Sequence, residues 1–549
     1  MTSGSAPLVP GGVVAARTLA AHDVDTVFSL NGGHVWPLYD GCVQEGIRLV
    51  DTRHEQSATF AAEAWAKVTR RVGVAVLTAG PGVTNGMSAI TTAWLNGSPL
   101  FVAGGRAPQA RWGQGSLQEL DHVPLVAPIT KHAATCLDAT EIAAAFDTAL
   151  TAARTPHRGP TFVDVPLDGW GPAAATIPAA TAGVLAGPRP DGDALARVAA
   201  VVGSARRPVL MVGGDVYWAG AEADVRTFVE TARVPAFAND MGRGVLPADH
   251  ELSFARTRGS AFGGADLVVV AGTPLDFRLG FGRFGDAAVV HLADSAAGVA
   301  TGVDLAASVA GDLRATFAAL SDAAARDTTR DVRTERDDWV TRLRDEERAR
   351  RASEVDALES GADPVVPTRV YGELRSRLDR DAIVVGDGGD FVSYAGKYVD
   401  TYVPGSFLGP GPYGCLGLGI GYALGAALAE PSRQVVALLG DGAIGFALGD
   451  LDSLARHRVN VTLIVGNNGI WGLEKHPMRK LYDYDVLCDL APGTRYDRVA
   501  EDLGCHGELV TTPAELGPAL DRAMACDGPA LVNVLTDPDD TYPRTSNLA

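Results

Sequence analysis

An apolar run, Val435 to Leu439, closes on Gly440-Asp441-Gly442, and a second, Val461 to Val465, stops just before Asn467-Asn468. Between them, Ala443 to Arg458 has the length and apolar spacing of a helix. Strand, helix and strand in this order predict one βαβ unit, whose parallel strands end at the same rim of a sheet. Open α/β sheets bind ligands at that rim. Asp441 and Asn468 are therefore expected close together there. A carboxylate and an amide oxygen are hard donors, which Mg²⁺ takes along with phosphate and water. Gly440 and Gly442 let backbone amides, Ala443 included, approach a diphosphate at the helix start. A lone Gly-Asp-Gly is weak, because it also suits a helix cap followed by a turn. The pairing with Asn-Asn inside one βαβ unit carries the reading.

The whole chain reads the same way. Strand patterns at Thr26–Leu30, Val72–Thr78, Leu100–Gly104 and Thr161–Val165 alternate with helices near Val13–Ala21, Gln56–Thr69 and Thr140–Ala153. That alternation predicts a mainly parallel sheet. Pro166 to Asp191, rich in Pro, Ala and Gly, reads as a linker. A second α/β region carries strands near Val209–Val212, Leu267–Ala271 and Val289–Leu292. Ser321 to Ser360 is strongly charged with acids and arginines interleaved, and is expected to be a solvated helix and connector. The expected organisation is α/β, with three doubly wound parallel-sheet domains: 1–172, a central domain 190–322, a charged connector 323–362, and 363–549.

Composition limits the partners. A formal charge of −19 argues against nucleic acid or an anionic membrane. No stretch of about eighteen apolar residues appears, so no membrane span is expected. Met1 to Pro10 lacks a basic region followed by an apolar core, so no signal peptide is expected. The six cysteines are scattered without a CxxC, which suits reduced thiols and a cytoplasmic protein.

The Asp441 and Asn468 pair resembles the signature of thiamine diphosphate (ThDP) enzymes. That resemblance implies that Asp441, Asn468 and the carbonyl of Ile470 hold Mg²⁺ on the cofactor diphosphate. It also implies an acid beside the cofactor's aminopyrimidine. The candidate is Glu55, in Asp51-Thr52-Arg53-His54-Glu55-Gln56, which in isolation reads equally as a first-turn Glu favouring the helix dipole. Asp51 to Glu63 and Leu77 to Gly86, which includes Pro81 and Asn85, are similar to the pyrimidine-binding domain of acetolactate synthase and benzaldehyde lyase. In the third region, Gly388-Gly389-Asp390-Phe391 falls where the family's backbone meets the diphosphate. Gly414 is placed to give a carbonyl to the pyrimidine amine. Leu416 is placed to prop the cofactor in its bent shape, where the family more often has Met. The resemblance covers nearly the whole chain as pyrimidine-binding, central and diphosphate-binding domains. It implies sites shared between subunits, hence a homodimer or homotetramer.

Four positions bear on the substrate. His34 matches a histidine of benzaldehyde lyase, and Gln118 a glutamine shared with acetolactate synthases. Glu474 lies where pyruvate decarboxylases place a proton-relay Glu, and His476 follows it closely. Each has a plainer reading: a loop histidine, a surface-helix glutamine, solvated helix charge. The resemblance points to a ThDP- and Mg²⁺-dependent carbon–carbon ligase or lyase of the acetolactate-synthase-like group acting on 2-oxo acids. Trp471 to His476 departs from the acetolactate synthase pattern. Gly445-Phe446 and the tail Arg544 to Leu548 lean toward 2-hydroxyacyl-CoA lyases. Gly272 to Arg278 and Asp294 look like the pocket that holds FAD or ADP in relatives, and which others leave empty. A cofactor-binding protein without catalysis is the remaining class; the joint presence of Glu55 and the Mg²⁺ pair speaks against it.

Overall fold

The computed structural model describes residues 8–174, Ile177 and 185–542. It contains three parallel sheets. In the first, six strands lie in the order Arg48–Asp51, Thr26–Ser29, Gly73–Leu77, Leu100–Arg106, Thr161–Pro166, His132–Thr135. In the third they lie in the order Phe407–Leu408, Ile383–Asp387, Val435–Gly440, Thr462–Asn467, Ala530–Leu535, His506–Val510. Both sheets share one permutation: second strand, first, third, fourth, sixth, fifth. The order reverses between the first and third strands of each, and a crevice opens outside their carboxyl ends. In the third sheet those ends are Asp387 and Gly440; in the first they are Ser29 and Leu77. Five strands from Pro208 to Ala310 form the central sheet. The inner strands are mostly apolar and buried because helices cover both faces.

The outer domains share one core. Helix Glu55–Thr69 of the first packs along helix Gly419–Ala429 of the third, and one apolar cluster runs from Phe28 to Leu531 through both. Gly421 and Gly425 make the approach possible, since a Cβ there would meet Ser57, Phe60 and the Ala61 carbonyl. Within this contact Lys67 binds Glu63 at 3.0 Å and donates to the Tyr422 hydroxyl at 2.8 Å. Tyr422 donates to Glu63 at 2.7 Å, and all three side chains are buried. Tyr217 of the central domain donates to the Lys67 carbonyl. Three domains thus meet at one buried, satisfied ion pair, the arrangement a buried charge requires.

Two expectations are corrected. Ala443 to Arg458 is not one helix. It breaks into Asp441–Ile444, a 3₁₀ turn Leu448–Asp450 and Leu451–His457. Gly445 and Gly449 weaken the span, and Asp450 turns outward to accept the Arg53 N–H at 2.6 Å. The charged stretch is also not solvated along its length. Helix Arg330–Ser353 lays Trp339, Val340 and Leu343 on the central core. Arg336 is fully buried and donates to the carbonyls of Val202, Ala205 and Ala232, the ends of two helices. A narrow apolar stripe, diluted by charge, concealed this layer. Among the described residues no helix is long and apolar enough to cross a membrane. The Arg544–Leu548 tail lies outside the described residues.

Candidate functional site

The crevice of the third sheet is built from the ends of three neighbouring strands. It is lined by Gly388, Gly389, Asp390, Phe391, Gly440, Asp441, Gly442, Ala443, Asn468, Ile470 and Glu474, among others. Asp441 is 4 % exposed and accepts the N–H of Gly442 at 3.0 Å and of Gly469 at 2.8 Å. The Gly469 bond pulls the Asn468–Ile470 segment against Asp441. Asn468 accepts the Ile470 N–H at 3.2 Å, which curls the segment. Asn467, by contrast, serves the fold: its amide donates to Thr494 and Asn533. Burial pushes the Asp441 carboxyl up to about 6 despite these N–H donors. Gly388 has φ +86° and Gly389 φ +32°, in the region glycine alone enters freely. A Cβ on Gly440 would meet nothing, so its backbone faces open space.

The first sheet carries a second group of side chains. Glu55 opens helix Glu55–Thr69 and is 6 % exposed. Its Oε2 accepts from the Asn85 amide at 3.0 Å. A Cβ on Gly82 would meet the Thr78 methyl at 2.8 Å, so this close approach of the turn to Thr78 requires glycine. Pro81 starts the helix that carries Asn85. His34, 7 % exposed, contacts the Thr78 hydroxyl at 3.3 Å across the switch point. Burial lowers its pKa, only partly offset by the Leu117 backbone. Gln118 is not on a helix. It sits in a loop at φ +60°, against the backbone of Gly80.

The structure brings Glu55, Pro81, Asn85, His34 and Gln118 into one neighbourhood and the Asp441 group into another. None of the first group lines the Asp441 crevice. Gly414, at φ +67°, is exposed, and Leu416 is half-buried rather than core. His476 lies on the same helix as Glu474 but does not line the crevice.

Three family comparisons match in register with the three sheets. The thiamine pyrophosphate enzyme N-terminal TPP binding domain matches residues 10–125, the central domain 195–320, and the C-terminal TPP binding domain 387–534. The chain belongs to the thiamine pyrophosphate enzyme family. Acetolactate synthase large subunit IlvG of Mycobacterium tuberculosis is 51% identical over all of both chains. A 2-hydroxyacyl-CoA lyase 2 of Homo sapiens is 33% identical over 96% of this chain and 90% of its own length.

Both halves of this thiamine pyrophosphate enzyme fit the cofactor. The Asp441 carboxylate, Asn468 amide oxygen and Ile470 carbonyl form an all-oxygen donor set. A buried carboxylate held only by N–H donors lacks a cation, and a divalent ion there would keep Asp441 ionised. The Cβ-free Gly440 leaves room for an anion beside it.

The central pocket fits a nucleotide poorly. Its cations are already engaged. Lys67 pairs with Glu63, His157 with Asp215 at 3.1 Å, and Arg278 with Asp276 at 2.7 Å and with Asp240. No cation remains for a diphosphate among the described lining residues.

Sequence reasoning missed two positioning groups. His122 is fully buried, bonded through Nδ1 to Asp164 at 2.8 Å and accepting the Gly80 N–H through Nε2 at 2.9 Å. A backbone N–H can only donate, so Nε2 is unprotonated and the proton resides on Nδ1. His122 thereby fixes the Gly80–Gly82 turn beside Glu55 and Gln118. Replacing it by Leu leaves the Gly80 N–H buried without a partner, at about 1–3 kcal/mol, and leaves Asp164 held by Arg106 alone. We expect kcat/KM at least tenfold lower, with Gln, which both accepts and donates, restoring most of it. Equal steady-state kinetics for the Leu variant would remove this role.

The second is Asp387, 1 % exposed, which accepts the N–H groups of Gly419 at 2.8 Å and Gly417 at 3.3 Å and so orders the Gly414–Leu416 loop. Burial pushes it up to about 7 against those bonds. The unfolded chain would release this proton near pH 4, so the native state binds more protons between about pH 4 and 7. Stability from this residue therefore falls as pH rises through that window, by up to about 4 kcal/mol. Thermal midpoints of cofactor-free protein should show this slope in the wild type and a flatter one in Asp387→Asn. Parallel profiles would refute it.

Proposed function

We propose that this chain is a ThDP- and Mg²⁺-dependent carboligase of 2-oxo acids, of the acetolactate synthase type. The observation that carries it is the buried Glu55, clamped by Asn85, together with an intact Asp441–Asn468 donor set. Full-length similarity to an acetolactate synthase large subunit supports the choice of reaction. Bound ThDP would supply the nucleophilic carbon for cleaving a 2-oxo acid, with CO₂ leaving and the remaining acyl carbanion equivalent adding to a second carbonyl. Asp441, Asn468 and the Ile470 carbonyl hold Mg²⁺ against the diphosphate. The backbone of Gly388 to Phe391 and Gly440 to Ala443 contacts that diphosphate. Gly414 and Leu416 face the pyrimidine, and Glu55 exchanges a proton with its ring nitrogen. His34, Gln118 and Glu474 handle protons at substrate oxygens, with His476 behind Glu474.

Glu55 and the Asp441 crevice complete one another across two subunits, so the working unit is a homodimer or homotetramer. The six unpaired cysteines suit a cytoplasmic setting. Relatives named 2-hydroxyacyl-CoA lyase 2 keep one second reading open, cleavage of a 2-hydroxyacyl-CoA. A mass-spectrometric product screen of the loaded protein separates the two. Acetolactate or another 2-hydroxy-ketone from oxo acids is expected. Formyl-CoA from a 2-hydroxyacyl-CoA, with oxo acids inert, would overturn the carboligase reading.

A further inference from the structure

Away from the crevice, the central and diphosphate-binding domains form a half-open cavity of about 160 Å³. Four guanidinium groups line it, from Arg243, Arg256, Arg258 and Arg351, against one carboxylate, Asp400. In a chain of net charge −19 this local excess is against the trend. Arg351 takes both oxygens of Asp400, at 2.9 and 3.1 Å, and Glu347 at 3.1 Å. Arg256 uses Nε for Glu354 at 3.1 Å, a carboxylate it shares with Lys397 at 3.2 Å. Its Nη2 is buried without a hydrogen-bond partner, and the side chain is only 4 % exposed.

Arg243 and Arg258 have no carboxylate partner at hydrogen-bond distance. Arg243 donates to the carbonyls of Gly396 (2.9 Å) and Val399 and to the Thr401 hydroxyl (3.3 Å), and stacks on Phe407. Arg258 donates to the Arg278 carbonyl at 2.6 Å. The nearby Asp240 is already bound by Arg278. Burial costs both guanidiniums part of their proton affinity, bringing Arg243 to about 10.

Cations taken from water without a directly bonded carboxylate are expensive, and an anion in the cavity offsets that cost. Guanidinium forks converging from separate segments match the oxygens of a tetrahedral oxyanion. We propose that this interdomain cavity is an anion site for a phosphate group, distinct from the diphosphate crevice. Its ligand would bridge the central domain, through Arg243, Arg256 and Arg258, to the diphosphate-binding domain near Thr401.

Calorimetric titration of the ThDP- and Mg²⁺-loaded protein, at constant ionic strength in chloride, tests this. Inorganic phosphate and glycerol 3-phosphate serve as separate probes and distinguish the free ion from an ester. Saturable binding of either probe is expected, weakened at least tenfold in Arg256→Gln and in Arg258→Gln. No saturable binding, or equal binding in wild type and variants, would overturn the site. Arg258 makes one side-chain bond to the fold, so its variant carries the test should Arg256→Gln fail to fold. Neither outcome bears on which acyl donor the protein uses.

Discussion

Glu55→Gln is expected to lower kcat by about 10²- to 10⁴-fold, the range typical of a lost general acid, while ThDP still binds within a few-fold of wild type. Gln keeps the length of the side chain and can still accept from Asn85 at the position where Oε2 now does. It cannot lend and recover a proton. Helix Glu55–Thr69 keeps its start, because His54 caps it through the Gln56 N–H. Stopped-flow turnover and calorimetric ThDP affinity, measured on the same preparation, check both halves. Unchanged turnover would move the acid elsewhere, and joint loss of binding and turnover would mean that Glu55 is structural.

Asp441→Ala should act on binding instead. It removes a proposed metal ligand and also strips the acceptor from the Gly442 and Gly469 N–H groups. The Gly469 bond is what draws Asn468 and Ile470 inward, so one substitution disperses the whole donor set. Losing an outer partner of a metal ligand commonly costs 10- to 100-fold in affinity. Loss of the ligand should exceed about 100-fold in ThDP affinity at fixed Mg²⁺, with no rescue by excess metal. Calorimetry of ThDP binding across a Mg²⁺ series measures it. Retained affinity would place the cation elsewhere.

The strands that were readable are short apolar runs, and those of the third region run into Gly440-Asp441 and Asn467-Asn468, the trace left by a parallel sheet covered on both faces. Asp441, Asn468 and Glu55 were readable for a related reason: strand ends locate them, and their chemistry is rare in combination. The broken segment after Gly442 was not readable, because Ile444, Leu448 and Leu451 keep a helical spacing while the break coincides with a long-range bond from Arg53 to Asp450. His122 left no local signal either. Its meaning depends on Gly80 and Asp164, 42 residues away on each side. The layer formed by Arg336 and Trp339 was hidden by the charges around it, since charged helices usually face water. The loop position of Gln118 left no signal, because nothing in Leu117-Gln118-Glu119 announces a left-handed residue.

The shared core between the outer domains has an evolutionary consequence. Matching strand permutations suggest interchangeable building blocks, but Lys67, Glu63 and Tyr422 tie the first and third domains through one buried charge pair, with Tyr217 adding the central domain. A cut in the 166–191 linker would strand Lys67 and Glu63 in apolar surface without Tyr422, and would bare the Gly421 and Gly425 face of its partner helix. Recombination within this lineage is therefore constrained to exchange the outer domains together. Substitutions at Tyr422 should coevolve with residues on a helix more than 350 positions away. The three parallel sheets of the described residues are thus tied together at one buried point.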